Sequence, residues 1–302
     1  MIDDPEIYRT VLQRLSVGVY FVDRGQHIVF WNHGAEEITG YLSQHVLGHH
    51  LAENFLEHVN HENLRLEGDD LPLIAALRHG KEVEERATIR HKEGYPVKVR
   101  IRAVPLRDEF GKLMGAAEFI EPAEPVLWED ERKDVLAIHG CMDRSTGALT
   151  REYTETQLRE QVETFERHQI PFSVLVMQLD RLDDLKAKHG SGALTAVLRV
   201  TARTLLNGLR SPDLLGRWTE TEYLILAAEC GETEAPRVAE RLRKTVGGAE
   251  THWWGDRLKV TLSAGVAAVK PGDSAATIVE RAETALRRAI ADCGNRSATQ
   301  YE

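Results

Sequence analysis

The sequence predicts two domains of the α/β (α+β) class, first a five-stranded antiparallel sheet with helices, then a central sheet flanked by helices. Three observations carry this. The chain has 302 residues, more than the roughly 100 to 200 of an ordinary single domain. Its β-rich runs, bounded by turn residues, alternate with segments whose apolar residues recur at helical spacing. The order of these elements changes across a Pro- and acid-rich stretch, EPAEPVLWEDE, that begins near Pro122.

Ile7, Val11, Leu12 and Leu15 stand at helical spacing, so residues 5 to 15 are expected to form a short amphipathic helix. SVGVYFVD, a polar turn at Arg24 to Gln26 and HIVFWN then read as strand, hairpin and strand. Short helical pieces are expected from His33 to about Leu77. Beyond the break at His79-Gly80, the runs VEERATIRH, VKVRIRAVPL and LMGAAEFIE are three strands separated by KEGYP and RDEFGK turns. Residues 1–121 thus form the first domain, 122–142 a helical linker and 143–302 the second domain.

In the second domain a capped helix is expected at 150 to 168, followed by the buried-type strand FSVLVMQL. A helix at about 192 to 209 comes next, with Leu194, Val197, Leu198, Leu205 and Leu206 as its apolar stripe. LLGRW and EYLILAAE read as a hairpin. A helix with Val238, Leu242 and Val246 in step, the strand KVTLSAGVAAV and a final helix ending near Gly294 complete the layers.

Composition narrows the function. A formal net charge of -10 argues against a broad basic footprint for nucleic acid or an anionic membrane surface, leaving room for a local cationic pocket. Cys141, Cys230 and Cys293 are odd in number and lack metal-ligand spacing, as expected of idle thiols in a reducing compartment. The start MIDDPEIYRT has no signal-peptide pattern and no run of about 18 apolar residues occurs, so a cytoplasmic protein without membrane insertion is expected.

Through GVYFVD, VFWNHGAEEITGY, HKEGYPVKVRIRAVPLRD and GAAEFIE, the first domain resembles the PAS family over about residues 5 to 121. Through DRSTGALTREY, FSVLVMQLDRLDDLKAKHG, RSPDLLGRW, AERLR and TLSAGVA, the second resembles the GGDEF family of diguanylate cyclases over about 140 to 300. That resemblance implies synthesis of cyclic di-GMP with two carboxylate-held divalent ions, which activate a 3'-hydroxyl and neutralise the triphosphate.

Measured against that family, the catalytic positions of this chain are altered. Gln178 stands where the family has a metal-ligating Asp. The signature loop reads Thr219-Glu220-Thr221-Glu222-Tyr223, without the two glycines that let backbone approach the nucleotide. Thr219 and Glu220 would project side chains, one of them anionic, toward the triphosphate. Lys186 and Thr195 align with the guanine-reading Asn and Asp, and Ile290 and Gly294 with the phosphate-binding Lys and Arg, although Arg287, Arg288 and Arg296 lie close by. Asp180 and Glu222 remain acidic. The resemblance therefore implies a degenerate domain with no catalytic residues and no metal centre.

Six positions before that loop, Arg210-Ser211-Pro212-Asp213 matches the family's RxxD product-inhibition motif, and Arg241 in AERLR sits where a second Arg completes the pocket from a neighbouring domain. Arg offers a planar fork for phosphate or guanine and Asp accepts from guanine donors, so Arg210, Asp213 and Arg241 are the expected cyclic di-GMP site. The competing reading makes RSPD a helix end and turn, with Arg210 near the helix dipole.

PAS domains hold haem, flavin, a small metabolite or nothing. No Cys precedes Cys141, which argues against a flavin adduct. His45, His49, His50, His58, His61 and His79 offer imidazoles for haem, but HGHHLAENFLEHVNHEN reads mostly as exposed surface, so haem remains a minor candidate and no certain cofactor is assigned. Trp31 and Asn32 are expected to fill and pin the core. Leu127, Trp128, Val135, Leu136 and Ile138 suggest a homodimer seam or contacts within the chain. The sequence thus points to a receptor for cyclic di-GMP regulated by a PAS sensor and acting on a downstream protein. A scaffold binding no nucleotide and a residual nucleotide enzyme are the alternatives.

Overall fold

The structure, a computed structural model, describes residues 5–53, 56–59, 65–123 and 140–300. The chain separates into two compact units, Met1–Glu124 and Pro125–Glu302. The expected linker helix and its apolar seam fall outside the described residues, apart from the ends of that stretch.

In the first unit, helix α1 (Pro5–Gln13) precedes strands β1 (Gly18–Asp23) and β2 (Ile28–Trp31). Helices α2 (His33–Thr39), α3 (Ser43–Val46) and α4 (Pro72–His79) cover the sheet, which continues with β3 (Val83–Arg90), β4 (Pro96–Arg107) and β5 (Leu113–Pro122). The five strands are antiparallel in the order β2-β1-β5-β4-β3. Period-2 alternation turns Val99, Ile101 and Ala103 of β4 inward, and Ile28, Trp31, Ile89 and Ile120 complete the same core.

Asn32, fully buried, pins this domain. Its Oδ1 accepts the N–H groups of Val19 at 2.7 Å and Ala35 at 2.8 Å, capping α2, while Nδ2 donates to the carbonyls of Leu12 and Val17, both at 2.9 Å. Trp31 fills the adjacent space, and its indole N–H donates to Tyr41 O at 3.0 Å.

In the second unit, α5 (Arg151–His168) leads into β6 (Phe172–Leu179), α6 (Leu182–Gly208), the hairpin β7 (Leu214–Arg217) and β8 (Glu222–Ala228), and α7 (Ala235–Gly248). Two short strands, β9 (Thr251–Trp253) and β10 (Asp256–Leu258), precede β11 (Leu262–Ala268), α8 (Ala275–Ala291) and β12 (Ser297–Thr299). The sheet order is β12-β11-β6-β8-β7, with β6 central and buried along nearly its whole length. Helix α8 lies so close to β11 that a Cβ on Gly265 would stand 2.0 Å from Ala282 O, so only glycine fits there.

Four elements and one side chain differ from the sequence reading. Helix α6 starts at Leu182, ten residues earlier than expected, and is interrupted at Gly190, whose φ of 82° leaves the helical region. Its first segment has few apolar residues to show a period, although Asp183 and Asp184 suit a helix N-terminus. The β9–β10 hairpin and β12 were not expected, because each is three residues long and gains its place from pairing with neighbours. His58 is 5% exposed, whereas its polar run predicted surface, since β5 and the leucines beside it close over the ring.

Candidate functional site

Cross-strand register assembles the expected catalytic positions at one end of the second sheet. Gln178 near the end of β6 faces Glu222 at the start of β8 on one side and Ser263 of β11 on the other. One amide thus sits between a carboxylate and a hydroxyl in a row across three strands. Asp180, two residues beyond Gln178, is turned to internal work. Its Oδ2 accepts from Thr261 Oγ1 at 2.6 Å and from the Asn295 backbone N–H at 2.9 Å, and its Oδ1 accepts from Ser263 Oγ at 2.6 Å. Gly294 packs against the same carboxylate, where a Cβ would lie 2.9 Å from Oδ1.

The signature loop is the tip of the β7–β8 hairpin, closed by its own side chains. Thr219 Oγ1 accepts the N–H groups of Thr221 at 3.3 Å and Glu222 at 3.1 Å, and Trp218 N donates to Glu222 O at 2.8 Å. Arg217 reaches around to donate to Glu220 O at 2.9 Å. Tyr223 is directed into the core, where its hydroxyl donates to Leu198 O at 2.8 Å and burial drives its pKa upward.

Lys186 and Thr195 lie exposed on α6, and Ile290 is exposed on α8. None of the three is hydrogen-bonded into the Gln178 row. Among the described residues, no group of three or more His, Cys, Asp or Glu side chains is placed to hold a metal ion, and no helix is long and apolar enough to cross a membrane.

The RxxD residues occupy the other end of β8, six residues away or about 20 Å along the strand. Asp213 N donates to Arg210 O at 2.9 Å, forming the turn that follows α6. The Asp213 carboxylate, 3% exposed, accepts from the Arg210 backbone N–H at 3.2 Å, from Arg210 Nε at 3.4 Å and from the Ala228 N–H at 3.2 Å. Arg210 keeps half its side chain in solvent and donates through Nη2 to the carbonyls of Ala228 and Glu229. Arg241 of α7 donates through Nη1 to Gly208 O at 2.5 Å, so within one chain it stands beside the same helix end as Arg210. The structure therefore brings Arg210, Asp213 and Arg241 together, with the acid buried and both arginines exposed residues whose guanidinium groups also donate to backbone carbonyls.

A further cluster escaped the sequence reading. Asp143 accepts from Ser145 Oγ and Thr146 Oγ1, both at 2.6 Å, and lies 3.6 Å from Arg217. Partial burial pushes its pKa up, but these hydroxyls and the Arg217 charge outweigh burial and hold it below the ordinary carboxylate range. The signal was present in DRST, where an Asp precedes Ser and Thr at turn spacing. The hydroxyls on Asp180 were likewise legible as the T-x-S alternation of residues 261 and 263.

Comparisons with known proteins identify both domains. The profile described as diguanylate cyclase, GGDEF domain, matches residues 141–296, and a PAS domain profile matches residues 16–121. The chain is 25% identical over 309 aligned positions to the probable diguanylate cyclase DgcE of Escherichia coli, which covers all of this chain and 27% of that protein. It is 27% identical over 161 residues to the diguanylate cyclase DgcP of Pseudomonas aeruginosa, covering 53% of this chain and 23% of that protein. It is 30% identical over 156 residues to the response regulator PleD of Caulobacter vibrioides, covering 51% and 34%.

Among solved structures, the diguanylate cyclase SiaD of P. aeruginosa with its activator SiaC matches at 28% identity and a TM-score of 0.53, over 56% of this chain and 66% of that one. The DgcB GGDEF domain of Caulobacter crescentus with c-di-GMP shares the fold at a TM-score of 0.52 and 20% identity, over 54% and 94%. The chain spans about a quarter to a third of these curated relatives' length.

Proposed function

Because the chain belongs to the GGDEF family, with a PAS domain ahead of its GGDEF domain, we propose that it is a non-catalytic signalling protein that binds cyclic di-GMP without synthesising it. The observation that carries this reading is the row Glu222–Gln178–Ser263 beside a fully engaged Asp180. Two-metal chemistry needs carboxylates free to hold cations on both the attacking and leaving oxygens. Here one position is an amide, and the neighbouring carboxylate already accepts three hydrogen bonds.

The hairpin tip supports the same conclusion. Thr219 and Glu220 are exposed at the place where the family's glycines admit the triphosphate, and the Glu220 charge opposes a polyanion.

Binding is assigned to the opposite end of β8. Arg210 and Arg241 present two planar, permanently charged forks to the phosphates or guanine edges of a cyclic dinucleotide. Asp213 holds the Arg210 backbone and side chain in place from behind. The PAS domain supplies the input, and the loaded GGDEF domain engages a downstream protein, as a homodimer in which a second copy can complete the arginine cluster.

Calorimetric titration with cyclic di-GMP, beside an Arg210→Ala, Arg241→Ala variant and a parallel turnover assay with GTP and magnesium, tests this. Micromolar binding, about -8 kcal/mol, abolished in the variant and without turnover, is expected. Turnover of GTP would overturn the non-catalytic reading, and absence of heat would leave a docking scaffold that binds no nucleotide.

A further inference from the structure

The centre of the PAS domain holds three polar side chains that its packing leaves under-used. Tyr20 of β1 and Glu118 of β5 are register partners, each 1% exposed, and the tyrosine hydroxyl donates to Glu118 Oε1 at 2.8 Å. His58 reaches the same oxygen with Nε2 at 3.6 Å, beyond hydrogen-bond length, and neither of its ring nitrogens has a hydrogen-bond partner. The three line a cavity of about 20 Å³ with Leu51, Leu56, Leu71 and Leu73. That is room for one water-sized group.

Charge decides what suits this space. A buried carboxylate requires donors, and Glu118 has one, the Tyr20 hydroxyl. Among the described residues no Lys or Arg lines the cavity, so an anion entering it would meet Glu118 with no compensating charge. Burial, and next the charge of Glu118, pushes the Tyr20 phenol well above its ordinary pKa, which keeps it a donor. His58 offers an unused acceptor, and the four leucines offer an apolar wall. A donor-rich cation of one heavy atom satisfies all of these at once.

We propose that this cavity binds an ammonium ion, which donates to Glu118 and His58 and packs against the leucine wall. The site is separate from the dinucleotide site and does not depend on it. It assigns the sensor domain an input of stated chemistry, with the small volume favouring ammonium over methylammonium and longer amines.

The test is calorimetry on the full chain with ammonium and methylammonium chloride, against sodium chloride, sodium acetate and methanol. Saturable binding in the millimolar range or tighter is expected for ammonium, with methylammonium weaker because its methyl group exceeds the space, and none for the other solutes. Glu118→Gln, which keeps shape and removes charge, should weaken it at least about tenfold. His58→Leu should abolish binding while melting at or above the wild-type temperature, because it fills the cavity and removes two unpartnered polar atoms. Absence of saturable binding, equal binding of acetate or methanol, or undiminished binding in Glu118→Gln would overturn the proposal.

Discussion

Asp213 holds Arg210 twice, accepting its backbone N–H at 3.2 Å and its Nε at 3.4 Å, while accepting the Ala228 N–H as well. One buried carboxylate therefore ties the turn after α6 to the end of β8 and aims an exposed guanidinium. In the proposed receptor, Asp213 does structural work and Arg210 meets the ligand, and that division can be measured.

Asp213→Ala should destabilise the GGDEF domain by about 1 to 3 kcal/mol, since it strands part-buried donors of Arg210 and Ala228. Arg210→Ala, on a half-exposed side chain, should cost less than about 1 kcal/mol yet remove dinucleotide binding. Urea denaturation of both variants separates the two, and equal losses of stability would contradict the assignment.

Asp180 is read as a fastener of β6, β11 and the loop at Asn295. Asp180→Ala should cost about 1 to 3 kcal/mol by taking the acceptor from the part-buried hydroxyls of Thr261 and Ser263 and untying the Asn295 N–H. Magnesium should not shift the wild-type melting temperature. A magnesium-dependent rise that vanished in Asp180→Ala would instead make Asp180 a metal ligand and weaken the non-catalytic reading.

Tyr20 links stability to alkaline pH. Its folded pKa lies above the ordinary 10.0, so the folded state retains a proton that the unfolded chain releases. The associated stability is fully present below about pH 10 and is lost as pH rises through the folded pKa. Tyr20→Phe should melt lower than wild type at about pH 7, because Glu118 loses its donor, and should show a flatter loss toward about pH 11. Parallel slopes in the two proteins would show that Tyr20 does not govern the alkaline limb.

Most of the fold was legible because its elements bury one face and write that burial as a period. FSVLVMQL is an unbroken apolar run and became the central strand β6. Asn32 and Trp31 were expected to pin the first domain and do so through five side-chain hydrogen bonds shorter than 3.1 Å. Strands β9, β10 and β12, three residues each, carry too little pattern to register, and the early start of α6 was hidden by a polar first segment broken at Gly190.

Residue identity alone determined that an amide stands at position 178, that residues 219–223 contain no glycine and that Arg210, Asp213 and Arg241 are present. Side-chain chemistry is fixed by the sequence regardless of packing. Only the tertiary structure decided which groups those residues meet. Asp180 takes its hydroxyl donors from 81 and 83 positions away, and Glu118 faces Tyr20 across 98. Such distances are closed by strand order and register, which place Asp213 inward, Arg210 outward and His58 in the core.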